Sequence, residues 1–272
     1  ENMTAACERS FHIDCHAHLH PCFDIALWLS CALENLIPAN VDTGMVVPVV
    51  IAVDREGVSA SKILEAAHRD GTVSVESILS DGSLLVALRS GPLVGKSLLV
   101  VPGIQVVSKE GIEVLGLGLT SRPAERTASA EQVHHIISEG ALPCIPWSPG
   151  KWLGRRGRVV HALFDIFGPH QITVGDIPIR SAWGPPSPLL AHARSSGFPI
   201  LYGSDPLPFP GEERSVGSFG VALKGDPVSA TGVVSWILER LRDPSKIDGV
   251  TGRRNAPLAA FNRFLRSNFR RK

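Results

Sequence analysis

FHIDCHAHLHPCF, residues 11–23, puts four histidines, an aspartate and two cysteines into thirteen positions. If FHIDCH is a β-strand, successive side chains point to opposite faces. Asp14, His16 and His18 then share one face, and Cys15 and Ala17 take the other. His16 and His18 stand where the strand gives way to a loop. Two imidazoles on one face, about 7 Å apart, can grip one divalent cation if further ligands arrive from elsewhere in the chain. A zinc staple through Cys15 and Cys22 competes with this reading. Strand parity turns Cys15 the wrong way, and no paired CxxC supports it. Histidines that merely cap a strand end are the remaining alternative.

Beyond residue 23 the chain alternates between two kinds of segment. Strand-like runs, the first included, lie at 11–16, 44–53, 97–107, 111–119, 142–147, 171–176 and 198–204. Several are unbroken apolar runs, which suits strands buried on both faces. Helix-like segments lie between them at 24–37, 59–70, 129–140, 157–168 and 187–197, with Ser59 and Ser129 as expected N-terminal caps. Residues 72–90 carry SDG between two β-like runs and read as an inserted hairpin. The alternation predicts an α/β fold, a mainly parallel TIM-like barrel with the first strand's C-terminal end on its functional rim. Residues 1–228 are expected to form the barrel, and 229–272 a basic helical extension packed on it.

Composition is that of an ordinary globular protein, 44% hydrophobic and 19% charged. No apolar run reaches the roughly 18–20 residues of a membrane helix. The N-terminal residues lack the layout of a secretory signal, so cytoplasmic residence is expected. Five irregularly placed cysteines argue for reduced thiols. The net charge of +1 hides an asymmetry, because Arg240–Lys272 holds ten Lys/Arg against two Asp. Such a tail could meet nucleic acid. A helix on the chain's own acidic body is favoured over that, since Phe261, Phe264, Leu265 and Phe269 fall at helical spacing.

D-x-H-x-H at a first strand's end resembles amidohydrolases and the PHP (polymerase and histidinol phosphatase) metal-dependent phosphoesterases. Later landmarks favour the second. IAVDREG (51–57) looks like the PHP second-strand I-x-x-T-D-H-D stretch. VPGIQVV (101–107) is similar to its P-G-I-E segment, with the next strand running back. ALPCIPW (141–147) stands where PHP proteins have A-H-P, and FPILYGSDPL (198–207) resembles their closing G-S-D-A-H. The resemblance covers residues 11–225 and implies a distorted (β/α)7 barrel, up to three divalent metals and hydrolysis of phosphate esters.

Departures reduce that ligand set. Arg55, Gln105, Trp147 and Leu207 stand where the resemblance would place a histidine, a glutamate and two more histidines. A cationic Arg55 and a neutral Gln105 cannot hold a second divalent ion in that way. His16, His18 and Asp205 remain, enough for one zinc or manganese ion, completed by His20 or Asp176. Asp54 and His20 are the candidate general bases.

WSPGKWLGRRGR (147–158) adds dense positive charge in what reads as a Pro/Gly-bounded loop. Lys151, Arg155 and Arg156, with Arg180 after a later strand, are expected to bind a small anionic, phosphorylated substrate. Two function classes fit these residues: a metal-dependent hydrolase with a reduced, mononuclear site, or a PHP-like barrel that has lost catalysis and binds an anion or a partner.

Overall fold

Ser10–Ala17 is the first strand, β1, and the sheet grows from both of its edges. A computed structural model of the chain describes residues 8–39, 45–148, 150–180, 187–227, 232–256, 260–263 and 265. On one edge β1 runs parallel to β2 (Val46–Asp54). Two further strands, β3 (Val73–Ile78) and β4 (Leu84–Leu88), make the hairpin expected over 72–90. Then comes β5 (Ser97–Val107), parallel to β2 and long enough to hold two partners on its far edge. β4 takes Ser97–Val100, and β6 (Glu113–Leu117) takes Gly103–Val107. The path continues through β7 (Leu142–Pro146), β8 (Thr173–Asp176) and β9 (Ile200–Tyr202). On the other edge of β1 lies β10 (Phe219–Lys224), followed by β11 (Gly249–Gly252). The result is a nearly closed, barrel-like mixed sheet with nine strands on its continuous path.

The expected run of strands and helices is present, but the sheet is not mainly parallel. Among the described residues four ladders are parallel and six antiparallel. Two causes are local. β5 returns into β6 through a tight turn closed by Ser108 N donating to Ile112 O (2.8 Å), and a direct reversal gives antiparallel neighbours. β10 and β11 then add two antiparallel strands beside β1, so a seven-fold β/α repeat does not describe the sheet.

Helices α1 (Ile25–Leu36), α2 (Ala60–Arg69), α3 (Ser129–Ser138), α4 (Gly154–Ile166) and α5 (Pro188–Ser195) match the sequence pattern closely. Asp24 starts α1, its carboxylate accepting the Leu27 N–H at 3.0 Å. Ser59 and Ser129 make no side-chain cap; Asp54 Oδ1 takes the Ala60 N–H at 2.8 Å instead. β2 and β5 are buried on both faces, as their apolar runs require. One core packs Trp28, Leu29 and Leu33 of α1 with Leu64 of α2 and Val50, Val86 and Val100 of the sheet. A larger one joins Phe11, Ile13, Val101, Leu115, Ile145 and Val174.

The extension expected over 229–272 is, in its described part, both helix and strand. Helix α6 (Val233–Leu241) sends Val234, Ile237, Leu238 and Leu241 into the larger core, and β11 pairs with β10. Phe264 and residues 266–272, with much of the basic tail, lie outside the described residues. No helix among the described residues is long and apolar enough to cross a membrane.

Candidate metal centre

His16 and His18 come together because β1 does not stay regular. Its register against β2 shifts between Asp14 and Ala17. The imidazole Nε2 atoms stand 3.2 Å apart, closer than two rings on a regular strand. Asp205 reaches them from the far end of the chain, its Oδ1 3.8 Å from His16 Nε2 and 3.5 Å from His18 Nε2. All three ligand atoms lie within 4.8 Å of one another. Both histidines are buried, and the Asp205 side chain is 23% exposed, so the triad keeps one side toward solvent.

Five residues outside the triad, Gly203, Arg263, Asp14, Ser204 and Gly217, hold this crossing of β1 and β9. Gly203 lies flat against β1: a Cβ there would stand 2.4 Å from His16 Cβ and backbone N. Asp205 has φ of 43°, a left-handed conformation uncommon outside glycine. It is fixed from both sides, its N–H donating to His16 O (2.8 Å) and its carbonyl accepting from Arg263 Nη2 (3.0 Å). Asp14 shares a motif with His16 and His18 but lies outside the triad. Its carboxylate accepts from the N–H groups of His16 (3.2 Å), Ser204 (2.9 Å) and Gly217 (2.8 Å) and from the Ser204 hydroxyl. Burial, only partly offset by those bonds, raises its pKa to about 6.

The donor set fits a divalent ion. Bonds of about 2.0–2.2 Å in tetrahedral geometry put ligand atoms about 3.3–3.6 Å apart, close to the spacings found. His18 Nδ1–H donates to the Val53 carbonyl at 2.6 Å, and a carbonyl can only accept, so Nε2 carries a lone pair aimed at His16. Burial, and then His16 beside it, push the His18 pKa down to about 3. His16 has no such support, because its Nδ1 is buried and finds no partner among the described residues. Two imidazole nitrogens and a carboxylate oxygen packed this closely form a group able to hold a metal ion.

Beside the triad is a cavity of about 740 Å³, lined among others by His20, Arg55, Gln105, Glu113, Lys151 and Arg156. The His20 ring lies 5.4 Å from that of His18, and its Nε2–H donates to Pro206 O (3.2 Å), leaving Nδ1 as an acceptor. Lys151 pairs with Glu113. Arg155 is exposed and does not line this cavity. The reason is that α4 begins at Gly154, three residues before the expected start. Arg155, Arg156 and Arg158 are thus helical, and successive residues point about 100° apart rather than converging as in a loop. Asp54 lies at the N-terminus of α2, engaged with Ala60 N–H. Asp176, considered as a fourth ligand, is ion-paired with Arg180 and Arg254 elsewhere, and Arg180 goes with it. Cys15 is buried in the larger core and Cys22 is exposed, so no staple joins them.

Sequence reasoning missed three contributors. Arg263 bridges Asp205 O and the Glu212 carboxylate (2.7 Å) from a segment read only as basic tail. Ser204 and Gly217 complete the seat of Asp14, and no sequence pattern signals that pairing. The four departures also find places. Arg55 and Gln105 line the cavity, Trp147 packs half-buried on the core, and the Leu207 N–H donates to Glu212 (3.3 Å).

No protein-family model and no curated protein matches the chain. Among solved structures it is similar to PsfC from Pseudomonas syringae, with 12% identity, 96% of this chain and 98% of that chain covered, and a TM-score of 0.54. A two-domain protein from Bacteroides vulgatus, described as containing a predicted PHP-like metal-dependent phosphoesterase, aligns at 9% identity over 95% of this chain and 71% of that one, with a TM-score of 0.47. The likeness to PsfC is one of fold.

Proposed function

We propose that this chain is a metal-dependent hydrolase of the PHP type, acting on a small anionic, phosphorylated substrate with one zinc or manganese ion. The observation that carries this reading is the convergence of His16, His18 and Asp205, from opposite ends of the chain, with His18 locked in the ligand-ready tautomer. An ion held there would act as a Lewis acid toward a substrate oxygen and lower the pKa of coordinated water. The protein's own groups do the rest. In the cavity, Glu113 is already paired with Lys151 and Glu125 with Arg122, which leaves Arg55 and Arg156 against the single carboxylate of Glu56 to attract an anion. Lys151 can exchange Glu113 for a substrate oxygen, and Arg156 can donate to it. His20 lines the same space and keeps Nδ1 as an acceptor, which makes it the first candidate to take a proton; Asp54, which does not line this cavity, is the second. Arg155 and Arg180 have no part in this cavity.

The alternative, an anion-binding barrel without catalysis, draws support from Arg55 and Gln105 standing where PHP proteins keep metal-binding side chains. Metal content separates the two. Wild-type protein loaded with Zn²⁺ or Mn²⁺ and dialysed should retain about one equivalent by elemental analysis and hydrolyse members of a phosphomonoester panel. The His16→Ala/His18→Ala double variant should retain none, lose hydrolysis and keep its circular dichroism. If wild type retains no metal, the hydrolase reading falls.

A further inference from the structure

A second and larger cavity, of about 1370 Å³, opens where the sheet fails to close, between α5, β8 and β9 on one side and β10 and β11 on the other. It shares no described lining residue with the cavity beside the triad. Strand register separates the two further. Asp176 and Tyr202 are register partners on one face of β8 and β9. Gly203, next along the chain, presents the opposite face to His16.

Its charge is unusual. Arg180, Arg194, Arg253 and Arg254 all line it, and Asp176 is the one carboxylate among the described lining residues. That carboxylate is shared between Arg180 (2.7 Å) and Arg254. Burial alone would raise the Asp176 pKa, yet the two guanidiniums outweigh it and hold the group below its ordinary value. Arg194 donates to the Tyr202 hydroxyl at 2.9 Å. Arg254 lies over the rings of Phe219 and Tyr202, 5.1 and 5.9 Å from their centroids. Its Nη1 is buried with no hydrogen-bond partner among the described residues, as is Nδ2 of the next residue, Asn255. Buried donors left without acceptors are costly, and excess cations in a recess repel one another. An anion with several oxygens in the cavity relieves the repulsion.

We propose that this cavity is a binding site for a multiply charged oxyanion on an organic body, a phosphate ester or a polycarboxylate. Arg194 and Arg254 receive the oxygens, since planar guanidiniums match both groups with paired hydrogen bonds. Leu190, Ile200 and Val250 give the organic part an apolar wall. The site is separate from the metal triad and does not depend on the hydrolase reading.

The chain has a single tyrosine, and it lines this cavity. Tyrosine labelled with ¹³C at Cζ alone therefore yields one NMR resonance that reports on the site alone. Titration of the full chain with inorganic pyrophosphate and, separately, with citrate should move this resonance saturably. Tighter pyrophosphate binding assigns the phosphate class; tighter citrate binding assigns the polycarboxylate. Arg194→Ala should weaken binding at least tenfold. Arg194→Gln, which keeps a donor for the Tyr202 hydroxyl but no charge, should do the same if the alanine variant fails to fold. His16→Ala/His18→Ala should titrate like wild type. The proposal is overturned if neither probe moves the resonance saturably, if Arg194→Gln binds with wild-type affinity, or if the triad variant loses the response.

Discussion

At the scale of residues, the site rests on positions that contribute no chemistry. Gly203 is one: any side chain there meets the His16 backbone, so β1 and β9 can cross only over a bare Cα. Gly203→Ala should lower stability by about 1–3 kcal/mol through overpacking and weaken metal retention, because Asp205 is two residues away. Urea unfolding and elemental analysis of the variant check both; full stability with full retention would show that the crossing can slide. The grouping of His16, His18 and Asp205 was legible because candidate ligands announce themselves by type and spacing. Strand parity correctly turned Cys15 away, but it could not give the 3.2 Å approach of the two rings, which comes from a break in register. Asp14 looked like part of the metal motif and is instead the acceptor that ties β1 to Ser204 and Gly217. Nothing local distinguishes those roles, since the difference is made by partners about 190 and 203 residues away.

At the scale of elements, the helices and the strands buried on both faces were read within a few residues, because apolar periodicity survives any tertiary arrangement. β10 was missed although its signal was present: Phe219, Val221 and Leu223 alternate and are all buried. The start of α4 was misplaced because Gly154 and Gly157 in GRRGR look like loop residues. Gly157 is needed for another reason, since a Cβ there would meet Trp152 O at 2.4 Å. β8 ends on Asp176, which ties the segment after its own strand to the segment after β11 by pairing with Arg180 and Arg254. Its pKa is depressed, so the stability it contributes is present above the ordinary value of 3.8 and lost as pH falls through the lower folded value. Asp176→Asn should therefore melt below wild type at neutral pH, with the gap closing as pH drops below about 4. Thermal melts from pH 2.5 to 7 would reveal this, and a gap independent of pH would assign the loss to packing.

At the scale of the whole molecule, α/β alternation was legible and ladder direction was not. Direction depends on whether a connection crosses over or turns back, and residues 108–112 turn back in a few residues. Which strand lies beside β1 is set by chain that comes more than 200 residues later. That late arrival has a kinetic consequence. The hydrogen bond from Asp205 to His16 closes a loop of nearly the whole barrel, and contacts of such sequence separation form late because their closure entropy must be met first. A partly folded chain can build β1, β2 and β5 and carry both histidines without yet having Asp205, the third candidate ligand. In stopped-flow refolding, displacement of a Zn²⁺ indicator should track the slowest phase of tryptophan fluorescence, not the burst of helix signal. Metal capture would thus be a clock for completed folding, started only when the two ends of the chain have met.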